Sequence, residues 1–129
     1  MQIDCLLDTD VMIDYLRQYS KTIDWIQNQG IIGLPGFVGL ELLQGCRNEK
    51  EQTLISKQLG KFDIIWPDSS DCEWAYKIYL RYHLINGIEI MDALIASIVK
   101  KIQKPFYTFN IKHFETIPDI EVIMPYSKR

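Results

Sequence analysis

The feature that most constrains the fold of this chain is an alternation of short apolar segments with longer amphipathic ones. The short segments have the length and composition of buried strands. They are Met1–Leu7, Ile31–Leu34, Phe62–Trp66, Phe106–Thr108 and Glu121–Met124. This alternation predicts an α/β fold, a three-layer α/β/α sandwich with a central, mostly parallel sheet of four to five strands.

The segments between the strands carry apolar residues at helical spacing. We expect a helix capped by Asp10 that runs to about Tyr19, because aspartate is a favoured N-cap residue. The other expected helices are Thr22–Gln29, Phe37–Cys46, Glu49–Leu59, one capped within Asp68–Asp71 that ends at Asn86-Gly87, and one from about Ile90 to Gln103. The apolar stripe of the helix before Gly87 is formed by Trp74, Ile78, Tyr82 and Ile85.

The bulk composition narrows the class of protein. A chain of 129 residues, 47% of them hydrophobic, is long enough for one buried core, so we expect a single domain over residues 1–129. The formal net charge of −3 argues against a protein that coats nucleic acid through phosphate neutralisation alone. It does not argue against a nuclease, because an acidic pocket within a locally basic surface can give the same total.

Cysteine usage and hydropathy indicate the compartment. The chain has three cysteines, Cys5, Cys46 and Cys72, and they show no C-x-x-C spacing. An odd number without this spacing favours reduced thiols in the cytoplasm over a disulfide framework. The longest nearly uncharged stretch, Gly30–Leu40, is interrupted by glycines and by Pro35. We therefore expect a cytoplasmic protein without a membrane-spanning segment.

Four polar residues stand where predicted strands end or helices begin. Asp8 ends the first strand, and Glu41 lies in the first turns of the helix after the second strand. Asp92 begins the helix that leads into the fourth strand, and Asn110 follows that strand. In an open parallel sheet, functional groups gather beyond the carboxyl ends of the strands, so we expect all four at one edge. Each acid taken singly has an ordinary structural explanation, and their joint placement is what favours a site.

Carboxylates that converge without a neighbouring lysine or arginine repel one another, and a divalent cation relieves the repulsion. Hard cations prefer oxygen ligands, so Mg²⁺ or Mn²⁺ is the expected ion and Asp8, Glu41 and Asp92 are the expected ligands and catalytic residues. Such an ion lowers the pKa of a bound water and positions it for attack on a phosphodiester.

Four local sequences resemble the motifs of the PIN domain, and within that family those of VapC-type toxins. Leu6–Arg17 contains Asp-Thr-Asp where the family has Asp-Thr-Asn, and Val38–Gly45 contains Glu-Leu with a glycine four residues after the acid. Met91–Ser97 contains Asp-x-x-Ile-Ala, and Thr108–Phe114 is similar to Thr-x-Asn-x-x-acid-Phe. The four occur in the family's order and span essentially the whole chain.

This resemblance implies a metal-dependent endoribonuclease that hydrolyses RNA phosphodiester bonds and is the toxin of a type II toxin–antitoxin pair. It implies a cognate antitoxin in a groove near the helices from Val38 to Leu59, and a homodimer. It also gives supporting roles to Thr9, Thr108 and Asn110, the last two by orienting their neighbours through hydrogen bonds.

Two positions depart from the family's pattern. Asp10 stands where asparagine is usual, and we interpret it as a structural helix cap. His113 stands where a fourth acid is common. A histidine there can ligate Mn²⁺, contact phosphate, or simply pack beside Phe114, and it is a poor ligand for Mg²⁺. The missing acid favours one firmly held metal ion and leaves a second one open.

Two other functions are compatible with the sequence. Asp8-Thr9-Asp10 after an apolar strand also resembles the nucleophile motif of haloacid-dehalogenase-type phosphatases, in which Asp8 attacks phosphorus and Asp10 is the acid/base. Met12 stands where that motif has threonine or valine. The third hypothesis is a catalytically degenerate PIN-fold binding module, which the presence of Asp8 and Asp92 disfavours. Metal-dependent RNA cleavage distinguishes the nuclease from both.

Overall fold

The computed structural model describes residues 2–128. Its strands are β1 (Cys5–Leu7), β2 (Ile32–Pro35), β3 (Asp63–Ile65), β4 (Phe106–Tyr107) and β5 (Val122–Ile123). Its helices are α1 (Thr9–Leu16), α2 (Ser20–Gln27), α3 (Gly36–Gln44), α4 (Glu49–Leu59), α5 (Ser69–Asn86), α6 (Ile90–Ile102) and α7 (Ile111–Phe114). Met1, which the sequence included in the first strand, lies outside the described residues.

The five strands form one sheet in the order β3-β2-β1-β4-β5, and every neighbouring pair is parallel. In the centre, Cys5 pairs with Ile32 of β2, and Leu6 pairs with Phe106 of β4. Helices flank the sheet, so the expected three-layer α/β/α architecture is confirmed. The sheet is wholly parallel rather than mostly so.

The core follows the central strands. Leu6 and Leu7 point to opposite faces of β1 and both are fully buried, as expected for a strand covered by helices on both sides. From α6, Ile95, Ile98 and Val99 are buried at the spacing of one helix face. Among residues 2–128, no helix combines the length and the apolar character that crossing a membrane requires.

The first helix begins two residues earlier than its sequence suggests. Asp8, not Asp10, is the N-cap of α1: its backbone is extended, and its Oδ1 accepts a hydrogen bond from Thr9 N at 2.8 Å. The interpretation of Asp10 as the cap is therefore wrong. Because β1 leads into α1 directly at Asp8, Asp10 falls within the first turn of the helix.

The ends of α5 agree with the sequence, and so does its apolar stripe except at Ile85, because Ile78 is buried and Trp74 and Tyr82 pack against the core. Asp68 and Asp71 form a reciprocal capping box at its start, and Gly87 closes it with a left-handed backbone at φ 74°. The residues that α5 buries are Ala75 and Ile78. Ile85, which the sequence placed in the buried stripe, is 77% exposed, so that part of the prediction is wrong.

Candidate active site

A cleft of about 270 Å³ opens beyond the carboxyl ends of β1 and β4. Its lining residues are Asp8, Thr9, Asp10, Ile13, Glu41, Glu89, Asp92, Asn110 and His113. Five of these residues carry carboxylates, and none is a lysine or arginine. The structure thus brings together residues from α1, α3, α6 and α7 and from the loop after β4, where the topology rule expects them.

Asp8 lies deepest in the cleft, with 7% of its surface exposed. Its Oδ2 accepts a hydrogen bond from Thr108 Oγ1 at 2.7 Å, while its Oδ1 caps α1. Thr108 Oγ1 in turn accepts a bond from Asn110 N at 2.9 Å. Burial is the main reason that the pKa of Asp8 rises from 3.8 to about 7, and the charges of Asp10 and Asp92 add to the increase.

Asp10 is a second buried carboxylate beside Asp8, with one oxygen bonded and one without a partner. Its Oδ2 accepts a hydrogen bond from Phe109 N at 3.0 Å. Its Oδ1 is buried and has no hydrogen-bond partner. Burial raises the pKa of Asp10 as well. An orphaned carboxylate oxygen in an acidic cleft is the kind of group that a cation would satisfy.

Glu41 reaches the cleft from the second turn of α3, as its sequence suggests. Its Oε1 accepts a hydrogen bond from Thr9 Oγ1 at 2.6 Å. The supporting position predicted for Thr9 is therefore a contact to Glu41 across 32 residues of chain.

Asp92 belongs to the first turn of α6, as the sequence predicts. Its Oδ2 accepts a hydrogen bond from Glu89 N at 3.0 Å and lies 3.0 Å from His113 Nδ1. The same Nδ1 is 2.9 Å from the Nδ2 atom of Asn110. His113 thus contacts Asp92 directly; its ring is not simply packed beside Phe114.

The donor chemistry of the cleft suits a hard divalent cation, since it offers several carboxylate oxygens, one of them unpartnered. Within residues 2–128, no three acid, histidine or cysteine side chains are already arranged around a common point as metal ligands. Thr9 and Thr108 donate hydrogen bonds to the carboxylates of Glu41 and Asp8, and His113 Nδ1 contacts Asp92.

A positive charge that the sequence does not predict lies close to the cleft. Lys128 pairs with Asp14 at 3.2 Å and lies over the ring of Phe109 at 4.2 Å. Its charge lowers the pKa of Asp10, although burial outweighs that effect. Tyr126 also donates a hydrogen bond to Asp14, so Tyr126 and Lys128 are both held against α1. Nothing in the local sequence around Lys128 indicates this long-range contact.

Fold and cleft together define a class: wholly parallel α/β proteins with clustered carboxylates beyond the carboxyl edge of the sheet. The model of the PIN domain family matches residues 5–118, and the chain belongs to that family. No curated protein sequence matches this chain.

Three solved structures show how closely the fold is shared. A toxin–antitoxin complex from Klebsiella pneumoniae contains a chain that is 20% identical, with a TM-score of 0.80 over 95% of this chain and 98% of that one. VapBC2 from Rickettsia felis, bound to a promoter DNA fragment, is similar at 22% identity and a TM-score of 0.77, with the same coverage of both chains. VapBC-1 from nontypeable Haemophilus influenzae has 20% identity and a TM-score of 0.78, again covering 95% and 98%. At these identities the likeness shows the fold.

Proposed function

We propose that this protein is a metal-dependent endoribonuclease, acting as the toxin of a type II toxin–antitoxin pair in the cytoplasm. The observation that carries the proposal is the convergence of Asp8, Glu41 and Asp92 from three separate elements on one cleft. Membership of the PIN domain family and structural likeness to chains of toxin–antitoxin complexes support it. The three cysteines are free, which fits a reducing compartment.

Asp8, Glu41 and Asp92 would hold Mg²⁺ or Mn²⁺. When bound, such an ion supplies Lewis acidity and lowers the pKa of a water molecule that attacks the phosphodiester. The residues of the chain orient this site. Thr108 holds the buried carboxylate of Asp8 in place, and Thr9 does the same for Glu41.

The electrostatics of the cleft make it a receptor for a cation. Without one, burial and neighbouring negative charge favour the protonated form of Asp8, whose pKa is about 7. A divalent ion reverses that preference, because it stabilises the ionised carboxylates. Binding should therefore release protons near neutral pH.

A second cleft adjoins the first and suits the antitoxin. It has a volume of about 480 Å³ and shares Glu41 with the acidic cleft. Its lining residues are Ile13, Leu16, Arg17, Glu41, Leu42, Gly45, Cys46, Glu51, Leu54 and Ile55. Leu54 is 57% exposed at its edge. We assign this groove to an amphipathic antitoxin segment. Leu54→Asp should then retain RNA cleavage and lose inhibition by a co-expressed antitoxin.

We assign the exposed face of α5 to the interface of a homodimer. Tyr76, Leu80 and Leu84 recur at four-residue spacing on it, with Ile85 and Ile90 beside them, and all five are well over half exposed. This number of large exposed apolar side chains within 15 residues of chain is more than a monomer usually leaves bare. Leu84→Asp should shift the molar mass measured by light scattering from dimer to monomer.

The nuclease is tested by incubating the purified protein with structured RNAs in Mg²⁺, Mn²⁺ or EDTA. We expect cleavage with a metal ion, none with EDTA, and at least a hundredfold loss in Asp8→Asn and Asp92→Asn. Asp24→Asn on the exposed side of α2 removes the same charge away from the cleft and should cleave normally. A wild-type protein that binds RNA but never cleaves it would favour the degenerate binding module.

The family assignment favours the nuclease over the phosphatase alternative. The surroundings of Asp8 point the same way, since both of its oxygens accept hydrogen bonds in a buried position. Formation of a phosphoenzyme, or hydrolysis of small phosphate esters, would instead support the phosphatase.

A further inference from the structure

In the acidic cleft, one ring nitrogen of His113 contacts both Asp92 and Asn110. His113 Nδ1 is 3.0 Å from Asp92 Oδ2 and 2.9 Å from Asn110 Nδ2. The ring is half-buried and lines the same cleft as the carboxylates of Asp8 and Glu41. The nitrogen that faces the acids is therefore Nδ1.

The two contacts place opposite demands on one nitrogen atom. The amide nitrogen of Asn110 only donates, so its contact requires a lone pair on Nδ1. The carboxylate of Asp92 only accepts, so its contact requires a proton on Nδ1. If Nδ1 keeps its lone pair, two electron-pair donors, Nδ1 and Asp92 Oδ2, face each other at 3.0 Å. A cation bound by both atoms would turn this repulsion into attraction.

We propose that His113 is itself a ligand of the divalent ion through Nδ1, together with Asp92, and that it makes the site select Mn²⁺ over Mg²⁺. This inference rests on the proposed function, since it concerns the ion of the same cleft. Imidazole nitrogen is a good ligand for first-row transition metals, whereas Mg²⁺ prefers carboxylate, carbonyl and water oxygens. A histidine in place of an acid therefore changes which ion is bound, in addition to removing a charge.

The direct test is spectroscopic. The purified protein is loaded with one equivalent of Mn²⁺, and electron spin echo envelope modulation is recorded to detect a ¹⁴N nucleus coupled to the ion. We expect histidine nitrogen coupling in the wild type and in His83→Ala. His83 is the matched control, because it is the other histidine of the chain and stacks on Tyr79 of α5, away from the cleft. The coupling should vanish in His113→Ala.

Calorimetric titration with each ion tests the selectivity. His113→Ala should weaken Mn²⁺ binding about tenfold or more and change Mg²⁺ binding much less. His113→Asp should strengthen Mg²⁺ binding and reduce the preference for Mn²⁺. Circular dichroism of each variant establishes that it is folded before its affinities are compared.

These experiments distinguish a failure of the proposed role of His113 from a failure of the proposed nuclease function. Bound Mn²⁺ without ¹⁴N coupling, or an unchanged ratio of Mn²⁺ to Mg²⁺ affinity in folded His113→Ala, would overturn the role of His113 and leave a metal-dependent nuclease intact. Absence of any bound Mn²⁺ would overturn the role of His113, and absence of RNA cleavage by the same sample would overturn the nuclease as well.

Discussion

Replacing Asp8 by asparagine should stabilise the ion-free protein at neutral and alkaline pH, although it removes a proposed catalytic group. Asparagine is nearly the same size, and its side-chain oxygen can still cap α1 by accepting from Thr9 N. The substitution removes the oxygen that accepts the hydrogen bond of Thr108 and, with the larger effect, a buried negative charge that lies beside Asp10 and Asp92. Active sites often retain such destabilising groups.

The sign and size of the effect follow from the two pKa values of Asp8. The folded state raises its pKa from 3.8 to about 7, so the folded protein binds this proton more tightly than the unfolded chain. The stability that Asp8 contributes is therefore fully present below pH 3.8 and is lost as the pH rises through 7. A difference of about three pH units corresponds to about 4 kcal/mol, and the coupling to Asp10 makes about 2–4 kcal/mol the expected range.

The assay is urea unfolding in EDTA at several pH values between 4 and 8, for wild type, Asp8→Asn and the exposed control Asp24→Asn. We expect the free energy of unfolding of the wild type and the control to fall over this interval by about 2–4 kcal/mol more than that of Asp8→Asn. Saturating Mn²⁺ should stabilise the wild type far more than Asp8→Asn. Parallel pH profiles for wild type and Asp8→Asn would refute the reasoning.

Three further substitutions test the hydrogen bonds, the core and a helix end. Thr9→Val removes the 2.6 Å hydrogen bond to Glu41. Metal affinity or cleavage should therefore fall about 10- to 100-fold, with little change in melting temperature. Cleavage equal to that of the wild type would show that Glu41 needs no support from Thr9. Phe106→Ala empties a fully buried position in β4 and should destabilise the protein by about 3–5 kcal/mol in urea unfolding, whereas Met124→Ala, at an exposed position outside both clefts and the α5 face, should have almost no effect. Gly87→Ala puts a side chain at φ 74° and should destabilise by about 1 kcal/mol, with no steric clash to add to it.

The fold could be predicted from the sequence because its signals are local and repeated. The central strand is apolar at consecutive positions, and α4 begins and ends where its pattern predicts, at Glu49 and Leu59. The order of the strands, with β1 in the middle, is not a local property, and only the three-dimensional structure gives it. The exposure of Tyr76 could not be predicted either, since an apolar residue at helical spacing is normally taken as core, and here it is 71% exposed.

The candidate site was predictable in its outline and not in its contacts. The positions of Asp8, Asp92 and Asn110 follow from one rule about the carboxyl ends of parallel strands. The cleft-facing role of Asp10 was missed because aspartate at the start of a helix is usually a cap, and a shift of two residues in the helix start changed its role. The hydrogen bond of Thr9 to Glu41 and the contact of His113 with Asp92 join residues that are distant in the chain, and no spacing in the sequence predicts them.

The central claim is that the acidic cleft cleaves RNA with the help of a divalent ion, and the most direct test follows both events on the same sample. Protein stripped of metal is titrated with Mn²⁺ while ion binding and the rate of RNA cleavage are recorded together, for wild type, Glu41→Gln and the exposed control Asp24→Asn. We predict that cleavage by the wild type and the control rises in proportion to the bound ion, and that Glu41→Gln binds the ion weakly and cleaves at least a hundredfold more slowly. Cleavage before any ion is added, or full cleavage by Glu41→Gln, would contradict the claim.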